Sequence, residues 1–350
     1  MPTSPVFSRW LTTSLAVLGL VASLWLEVVH YRAYAVPSAA SFCSVGGKLD
    51  CASVALSRYS VFLGVPLPLW GAVGFAAMAM AAWLRSRWLF PLASLASLAS
   101  LGLLGIELHA IGAVCLLCEM THAISLALLV LAWQQRGFEL VAYSHRDTLL
   151  LVFGPALGTL AALLAFQRPY WSEFGWKGDL PFSQGETAEG YPWIGAEQPA
   201  LVVHEFTDYA CPHCKVASGH MLRALGTHPR QLRVVRRQYA RMPCPPGSSA
   251  SCQFARVAYC AQEQGKFWHT DRWLFEHVSP RHQLDLGSVA RDVGLDEQRL
   301  RSCMVRADIY ARADADAKTA RKKHILATPS YIVGDQALTP EQVMARIDAL

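Results

Sequence analysis

The chain has 350 residues and a formal net charge of +5, with 53% hydrophobic and 16% charged residues. Residues 1–166 contain 8 Lys/Arg and 6 Asp/Glu, whereas residues 167–350 contain the other 23 and 20. The first part is too poor in charge for an ordinary water-exposed surface, and the second part has the composition of a normal globular domain. These figures exclude a single soluble domain, a disordered protein and a fibrous repeat. The net charge is also too small and too dispersed to indicate nucleic-acid binding.

Long stretches without charge predict five transmembrane helices in the first part. Each stretch is close to the roughly 17–25 residues that a helix needs to cross the hydrocarbon core. A tight turn around His109 joins the third and fourth of them. The predicted spans are 10–29, 66–84, 88–107, 112–133 and 148–166.

Basic residues between the spans predict the orientation of the bundle. The positive-inside rule places them in the cytoplasm, so the 30–65 loop and everything after residue 167 lie outside. All ten cysteines then lie outside or near the outer face, where disulfides persist. The residues used are Arg9, Arg85, Arg87, Arg136 and Arg146.

The N-terminal stretch has a second interpretation. Arg9, the apolar residues after it and Ala33-Tyr34-Ala35 also resemble a cleavable signal peptide. The apolar stretch is longer than a usual signal core, which favours an uncleaved first helix.

Two cysteine pairs lie in the membrane part. Cys115 and Cys118 are spaced to share one face of a helix, so their sulfurs can meet. Cys43 and Cys51 occupy the predicted outer loop. Each pair alone could be structural, as small buried side chains or as a loop disulfide. A loop pair above a membrane CxxC is instead typical of a relay that passes a disulfide by thiolate attack.

These cysteines occur together with Ser57-Arg58 and with the Gly64–Gly71 stretch that leads into the second span. In this order the motifs resemble the vitamin K epoxide reductase family over residues 8–166. The resemblance implies a bundle of membrane helices that holds a quinone, either ubiquinone, menaquinone or a related species.

The same resemblance implies roles for individual residues. Cys118 would face the quinone, Cys115 would exchange with Cys51, and Cys43 would take electrons from a thioredoxin-like partner. Ser57 would hold the loop or shuttle electrons.

Two acidic residues in the membrane part have no assigned role in this scheme. Glu119 follows Cys118 directly, and either donates a proton for quinone reduction or lies near water facing another polar group. Glu107 has the same two interpretations. We interpret His109 and His122 as interfacial or packing residues, and no His/Cys set has the spacing of a metal site.

The second part begins with a Pro- and Gly-rich stretch, 167–199, which we interpret as a linker. Residues 201–206 then predict a buried strand, followed by Cys211-Pro-His-Cys214 and a helix. A strand that leads to CxxC at a helix start is typical of a thioredoxin-type redox site. Backbone N–H groups at the helix start stabilise the Cys211 thiolate, and His213 adds a donor or a positive charge. The alternative is a purely structural disulfide.

Later motifs support the same interpretation. Thr328-Pro329 opens a predicted strand, and Gly265–Trp268 opens a helical insert. With Glu205-Phe206 before the CxxC, they make residues 200–350 resemble the DsbA-like thioredoxin domains. The resemblance implies a cis Pro329 facing the CxxC, and a buried acid, Glu205, that either transfers protons or is a satisfied strand carboxylate.

Four cysteines remain in the second part. We predict two structural disulfides, Cys244–Cys252 and Cys260–Cys303, although four cysteines allow three connectivities. A resolving role for one of these cysteines is the alternative.

Together these patterns predict an all-α membrane helix bundle followed by an α/β thioredoxin-like domain with a helical insert. The expected function is a quinone-dependent thiol–disulfide oxidoreductase of the bacterial inner membrane, with its redox sites and C-terminal domain on the periplasmic side. Reduced exported proteins, membrane lipid and the quinone pool would be its partners. The alternatives are a quinone or quinone-epoxide reductase that uses the soluble domain as electron donor, and a membrane anchor for a thioredoxin-like chaperone.

Overall fold

The computed structural model folds into two compact units, the first ending at Trp171 and the second starting at Ser172. Its described residues are 5–35, 49–135, 150, 153–154, 157–158, 160–161, 170–172, 180–240, 244, 249–277 and 284–350. Cys43 and most of the predicted fifth span, 148–166, lie outside these residues.

The first unit is a helix bundle with one short hairpin. A π-helical turn, Glu107–Ile111, continues the fourth helix, and a 3-10 turn covers Tyr170–Ser172. Its helices and strands are α1 (Pro5–Ala35), α2 (Cys51–Ala55), β1 (Val61–Phe62), β2 (Val65–Pro66), α3 (Leu67–Trp83), α4 (Leu89–Ile106) and α5 (Leu116–Gln134).

The centre of the first unit is closely packed, whereas its outer surface is apolar. Helix α1 packs against α3 and α5. A Cβ atom at Gly19 would lie 2.4 Å from the ring of Phe75, so this close approach requires glycine. Large apolar side chains point outward from α4, with Leu95 and Leu98 each 68% exposed. Such a surface is stable against lipid and unfavourable against water.

Among the described residues, three helices are long and apolar enough to cross a membrane: Arg9–Ala35, Leu89–Ile111 and Leu116–Gln134. Helix Leu67–Trp83 is apolar but shorter. The predicted count of five spans is therefore not confirmed. The predicted turn at His109 is also wrong in form, because the π-helical turn extends the helix to Ile111 before Gly112 ends it with φ of 80°.

The second unit is a sheet with helices packed on it. Its elements are β3 (Gln184–Glu186), β4 (Pro192–Gly195), β5 (Leu201–Thr207), α6 (Pro212–Thr227), β6 (Leu232–Gln238), α7 (Ala250–Gln262), α8 (Phe267–His277), α9 (Leu286–Val293), α10 (Glu297–Met304), α11 (Ala307–Lys322), β7 (Ser330–Val333), β8 (Gln336–Leu338) and α12 (Pro340–Asp348).

The strand order is β3-β4-β6-β5-β7-β8, with β5 and β6 parallel and the other neighbours antiparallel. Strand β6 is followed along the chain by α7 to α11, which form the helical insert before β7. Strand β5 is central in the sheet, and Val203 and residues 205–207 are buried, which agrees with the buried strand predicted over residues 201–206.

The predicted linker 167–199 needs correction. Strands β3 and β4 lie within it and belong to the sheet, where Trp193 pairs with Val235 of β6. The Pro and Gly residues concealed these strands, because both are short and one is an edge strand, where such residues are tolerated. The second unit therefore starts well before residue 200. The other predicted boundaries, including the start at residue 8, stay predictions.

Candidate redox sites

The membrane dithiol lies at the start of α5. Gly112 turns the chain, and Cys115 is the N-cap of the helix. The backbone N–H of Cys118 donates to the Cys115 sulfur at 3.3 Å, and that of Cys115 donates to Glu107 Oε2 at 3.0 Å. Both cysteines are free thiols. The Cys118 N–H, which has no partner within the helix, thus donates to the Cys115 sulfur.

A short parallel bridge brings the loop cysteine next to this dithiol. The Asp50 backbone N–H donates to the Val114 carbonyl at 3.0 Å. The Asp50 side chain then caps α2, accepting from the Ala52 N–H at 3.1 Å. Cys51 and Cys115, the residues that follow Asp50 and Val114, are consequently buried together in one cluster with Leu26. Cys51 is disulfide-bonded, and Cys43, its predicted partner, lies outside the described residues.

These cysteines border a cavity of about 490 Å³ between the helices of the first unit. Most of its lining is apolar, including Leu26, Phe75 and Met78. Polar side chains also line it, among them His30, Ser57, Ser60, Glu107 and His122, beside Cys51, Cys115 and Cys118. An apolar cavity with a few convergent polar groups is the usual form of a small-molecule site.

The other residues predicted in the membrane part divide into two groups. Ser57 and Glu107 line the cavity, and the buried Ser57 hydroxyl has no hydrogen-bond partner among the described residues. Glu119 is not part of the lining, and its Oε1 lies 3.3 Å from His122 Nδ1. Of the two acidic residues, Glu107 is therefore the one placed to act on a molecule in the cavity.

The soluble dithiol lies at the start of α6, on a turn that Asp208 forms. The Asp208 carboxylate accepts from the Ala210 N–H at 2.9 Å, and its carbonyl accepts from the Cys211 N–H at 2.9 Å. Cys211 is the N-cap of α6, and His213 lies in the first helical turn. This geometry is the one predicted for a thioredoxin-type site.

The peptide bond between Thr328 and Pro329 is cis, and the Cys211 thiol lies 3.5 Å from the Thr328 carbonyl oxygen. Hydrogen bonding from the Cys214 thiol lowers the pKa of Cys211 to about 7 despite burial, with help from the Cys214 N–H and Thr328. Burial raises the pKa of Cys214 well above its ordinary value. Cys211 is thus the more acidic thiol of the pair, and Cys214 is the more deeply buried one.

Glu205 belongs to a buried ion cluster. It lies beside Arg236 in the parallel register of β5 and β6, and Arg236 Nη1 donates to Glu205 Oε2 at 2.5 Å. Arg236 also donates to Asp271 Oδ2 at 3.0 Å, and the Tyr209 hydroxyl donates to Asp271 Oδ1 at 2.7 Å. Burial raises the pKa of Glu205 to about 7, against the opposing effect of Arg236. The cluster connects the insert helix α8 to Tyr209, two residues before Cys211.

Sequence reasoning missed several of these residues. Thr207 is fully buried at the end of β5, and its hydroxyl helps to lower the raised pKa of Cys214. Asp271 lies on an apolar helix face, so its charge signalled a buried partner, whereas Arg236 lies in a strand with two other arginines and gave no such signal. The sequence did not indicate that the two were partners of each other.

The four remaining cysteines form the two predicted disulfides. Cys244 pairs with Cys252, and Cys260 in α7 pairs with Cys303 in α10. All four are buried in the hydrophobic core of the second unit. Because their sulfurs are paired with each other, these cysteines fit a structural role.

Comparison with known proteins gives a family match for each part. Residues 10–133 match the model of the vitamin K epoxide reductase family, and residues 187–349 match a thioredoxin family model. A Na(+)/H(+) antiporter NhaA from Herminiimonas arsenicoxydans is 28% identical over 195 residues, which are 54% of this chain and 29% of the antiporter. An antiporter NhaA 1 from Mycobacterium sp. (strain KMS) is 30% identical over 141 residues, 40% of this chain and 22% of the antiporter. The chain therefore spans less than a third of the length of these curated relatives.

Solved structures resemble the chain over about half of its length. A thioredoxin-like oxidoreductase from Silicibacter pomeroyi DSS-3 is 26% identical with a TM-score of 0.40, covering 45% of this chain and 91% of its own. The MdbA thiol-disulfide oxidoreductase from Corynebacterium diphtheriae is 16% identical with a TM-score of 0.42, covering 49% of this chain and 95% of its own. The predicted combination of folds is confirmed by the two family matches. The first part of the chain is thus similar to the vitamin K epoxide reductase family, and the second part to the thioredoxin family.

Proposed function

We propose that the chain is a membrane thiol–disulfide oxidoreductase that oxidises exported proteins and passes their electrons to a quinone. The observation that carries the proposal is the cavity of the first unit, where disulfide-bonded Cys51 lies beside the dithiol of Cys115 and Cys118. A disulfide next to a dithiol, both bordering an apolar cavity, is the arrangement that a sulfur-to-sulfur relay requires.

The cavity fits a quinone in size and chemistry. Its apolar lining suits a ring with an isoprenoid tail, and the side chains of His30, Ser57 and Glu107 provide polar groups for carbonyl oxygens. When bound, a quinone supplies an acceptor for two electrons and two protons. Cys118 lines the cavity and would be the cysteine that faces this acceptor.

Electrons enter at the soluble domain. The dithiol of an exported protein reduces the Cys211–Cys214 disulfide, through a mixed disulfide on Cys211. The new Cys211–Cys214 dithiol then reduces the Cys43–Cys51 disulfide in the same way. Two electrons and two protons move at each step, so each disulfide that is reduced is matched by one that is formed.

The geometry of the soluble site supports this direction. A Cys211 pKa of about 7 means that half of the thiol is ionised at neutral pH. A stabilised thiolate favours the reduced form of the site, so its disulfide is a better oxidant of substrate thiols than one whose thiol has the ordinary pKa. We place the soluble domain and the cysteine pairs on the periplasmic side of the bacterial inner membrane, as the positive-inside rule predicts.

The proposal is tested with the purified full chain in liposomes that contain ubiquinone or menaquinone, with a reduced peptide as substrate. The wild-type protein should form one quinol for each peptide disulfide, and Cys118→Ala should abolish quinol formation. The matched control replaces two other cysteines, Cys244→Ala with Cys252→Ala, and should keep it. Peptide oxidation without quinol, or quinol formation by Cys118→Ala, would refute the proposal.

A further inference from the structure

A series of buried hydrogen bonds links four side chains of the first unit beside the cavity. The Tyr170 hydroxyl donates to Glu27 Oε1 at 2.7 Å, and its oxygen lies 2.6 Å from His30 Nδ1. His30 Nε2 lies 3.1 Å from Ser60 Oγ, and the Ser60 hydroxyl donates to the Ser57 carbonyl at 2.9 Å. The side chains of Glu27, His30, Ser60 and Tyr170 are all buried.

Packing alone does not explain these polar groups. The Tyr170 ring already packs edge-on against Tyr31 at 5.1 Å and Tyr34 at 5.8 Å, which fastens residue 170 to α1. A phenylalanine would make the same ring contacts. Ionisable side chains buried in a membrane bundle are unfavourable unless they are paired, and they commonly mark a functional path. The burial of Glu27 and His30 therefore indicates a functional role in addition to packing.

The hydrogen bonds between these side chains are compatible with two positions of one proton. In the first, Tyr170 and Ser60 donate towards Glu27 and the Ser57 carbonyl, so both ring nitrogens of His30 donate, His30 is an imidazolium and Glu27 is a carboxylate. In the second, the Nδ1 proton has moved to Tyr170 and the Tyr170 proton to Glu27, which leaves a neutral His30 and a protonated Glu27, the form that burial favours. The hydrogen bonds between Glu27, Tyr170 and His30 are kept in both states and only reverse their direction. The chain can therefore carry one proton in either direction without losing a bond.

One end of this chain opens on the cavity, because His30 and Ser60 both line it. We infer that Glu27, Tyr170, His30 and Ser60 form a proton relay that delivers a proton into the cavity during quinone reduction. The inference rests on the proposed function, since it supplies the protons for that reaction.

Electrons and protons balance in this step. Oxidation of the Cys115–Cys118 dithiol to a disulfide releases two electrons and two protons, and conversion of a quinone to a quinol consumes two of each. One quinol proton comes from a thiol and the other from His30. Water re-protonates the relay at Glu27, and the second thiol proton is released to water. The net reaction is dithiol plus quinone to disulfide plus quinol.

The first test is the rate of quinol formation after reduced full-length protein is mixed with ubiquinone in detergent. Tyr170→Phe keeps the ring contacts and removes the relay hydroxyl, and Glu27→Gln keeps the size and removes the exchangeable proton. Each should slow quinol formation by about a hundredfold, at the lower end of general acid–base catalysis. Thr12→Val is the matched control, because it removes a buried hydroxyl of α1 that does not belong to the relay. This hydroxyl accepts from Gln135 at 2.7 Å and does not line the cavity. Thr12→Val should keep the wild-type rate.

The second test needs no quinone. One proton shared between Glu27 and His30 predicts that His30→Gln leaves that proton on Glu27. The infrared band of a protonated carboxyl group, assigned by its loss in Glu27→Gln, should then be stronger in His30→Gln than in the wild type. Melting temperatures of all variants report whether the bundle is folded, and Ser60→Ala provides a milder interruption if Tyr170→Phe unfolds.

Wild-type rates in Tyr170→Phe and Glu27→Gln would overturn the relay, as would an unchanged infrared band in His30→Gln. If Thr12→Val lost as much rate and melting temperature as Tyr170→Phe and Glu27→Gln, the buried hydrogen bonds would have a structural role, and the relay would also be overturned. A wild-type protein that forms no quinol at all would instead refute the proposed function. The infrared comparison would still test the relay in that case.

Discussion

Replacing Cys214 with alanine should raise the pKa of Cys211 back towards its ordinary value. The hydrogen bond from the Cys214 thiol is the largest cause of the lowered pKa of Cys211, and burial opposes it. Without the Cys214 thiol, burial still acts and the main compensating donor is gone. The Cys211 thiolate should therefore be much less stable in Cys214→Ala.

The magnitude follows from the structure. A pKa lowered from 9.0 to about 7 corresponds to roughly 3 kcal/mol of preferential thiolate stabilisation. Because the folded pKa is the lower one, this stabilisation of the reduced domain is fully present above pH 9.0 and is lost as the pH falls through 7. Cys214→Ala should lose about half or more of this thiolate stabilisation, which raises the pKa of Cys211 by at least ~1 unit.

The assay is the pH dependence of alkylation by iodoacetamide, measured by mass spectrometry on the peptide that contains Cys211. Cys214→Ser is the matched control, because a hydroxyl can still donate to the thiolate, and it should keep the pKa of Cys211 near 7. A Cys211 pKa near 7 in Cys214→Ala would refute the reasoning. The helix N-terminus alone would then account for the acidity.

Three further predictions concern the second unit. Arg236→Met leaves the buried carboxyl groups of Glu205 and Asp271 without their shared cation, and should destabilise the domain by about 3–5 kcal/mol in thermal unfolding of the full chain. Burial raises the pKa of Glu205 from 4.5 to about 7, so the contribution of Glu205 to the free energy of unfolding is fully present below pH 4.5 and is lost as the pH rises through 7. Glu205→Gln should therefore flatten the decline of stability between these pH values. An unchanged slope would show that the decline does not come from Glu205. Replacing Cys260 and Cys303 by alanine opens a loop with a sequence separation of 43 and should cost about 4 kcal/mol of unfolding free energy, while the alkylation profile of the CxxC stays unchanged.

Much of the architecture follows from local signals in the sequence. The apolar run before Cys211 predicts β5, and the CxxC that follows predicts a helix start, because both depend on residues adjacent in the chain. The four charge-poor stretches that the structure describes correspond to helices for the same reason. The cysteine pairs of the insert were also predictable, since a loop and two helices constrained the connectivity.

Features that depend on distant residues were not predictable. The hydrogen bond from Asp50 to Val114, which places Cys51 beside Cys115, joins segments that share no sequence pattern. The contact between His30 and Tyr170 spans 140 residues and carries no periodic signal. Strands β3 and β4 are too short for their alternation to show, and only the pairing of β3 with β4 and of β4 with β6 reveals them. Each of these cases is a tertiary interaction that overrides or adds to local preference.

The central claim is that electrons pass from the soluble dithiol to the loop disulfide of the same chain. The most direct measurement is a trapping experiment on the full-length Cys214→Ala protein in the presence of quinone, with mixed disulfides identified by mass spectrometry of the unreduced peptides. Without Cys214 to resolve the exchange, the account predicts a peptide in which Cys211 is joined to Cys43. Cys211 joined only to exported proteins, with Cys43 never among its partners, would contradict it.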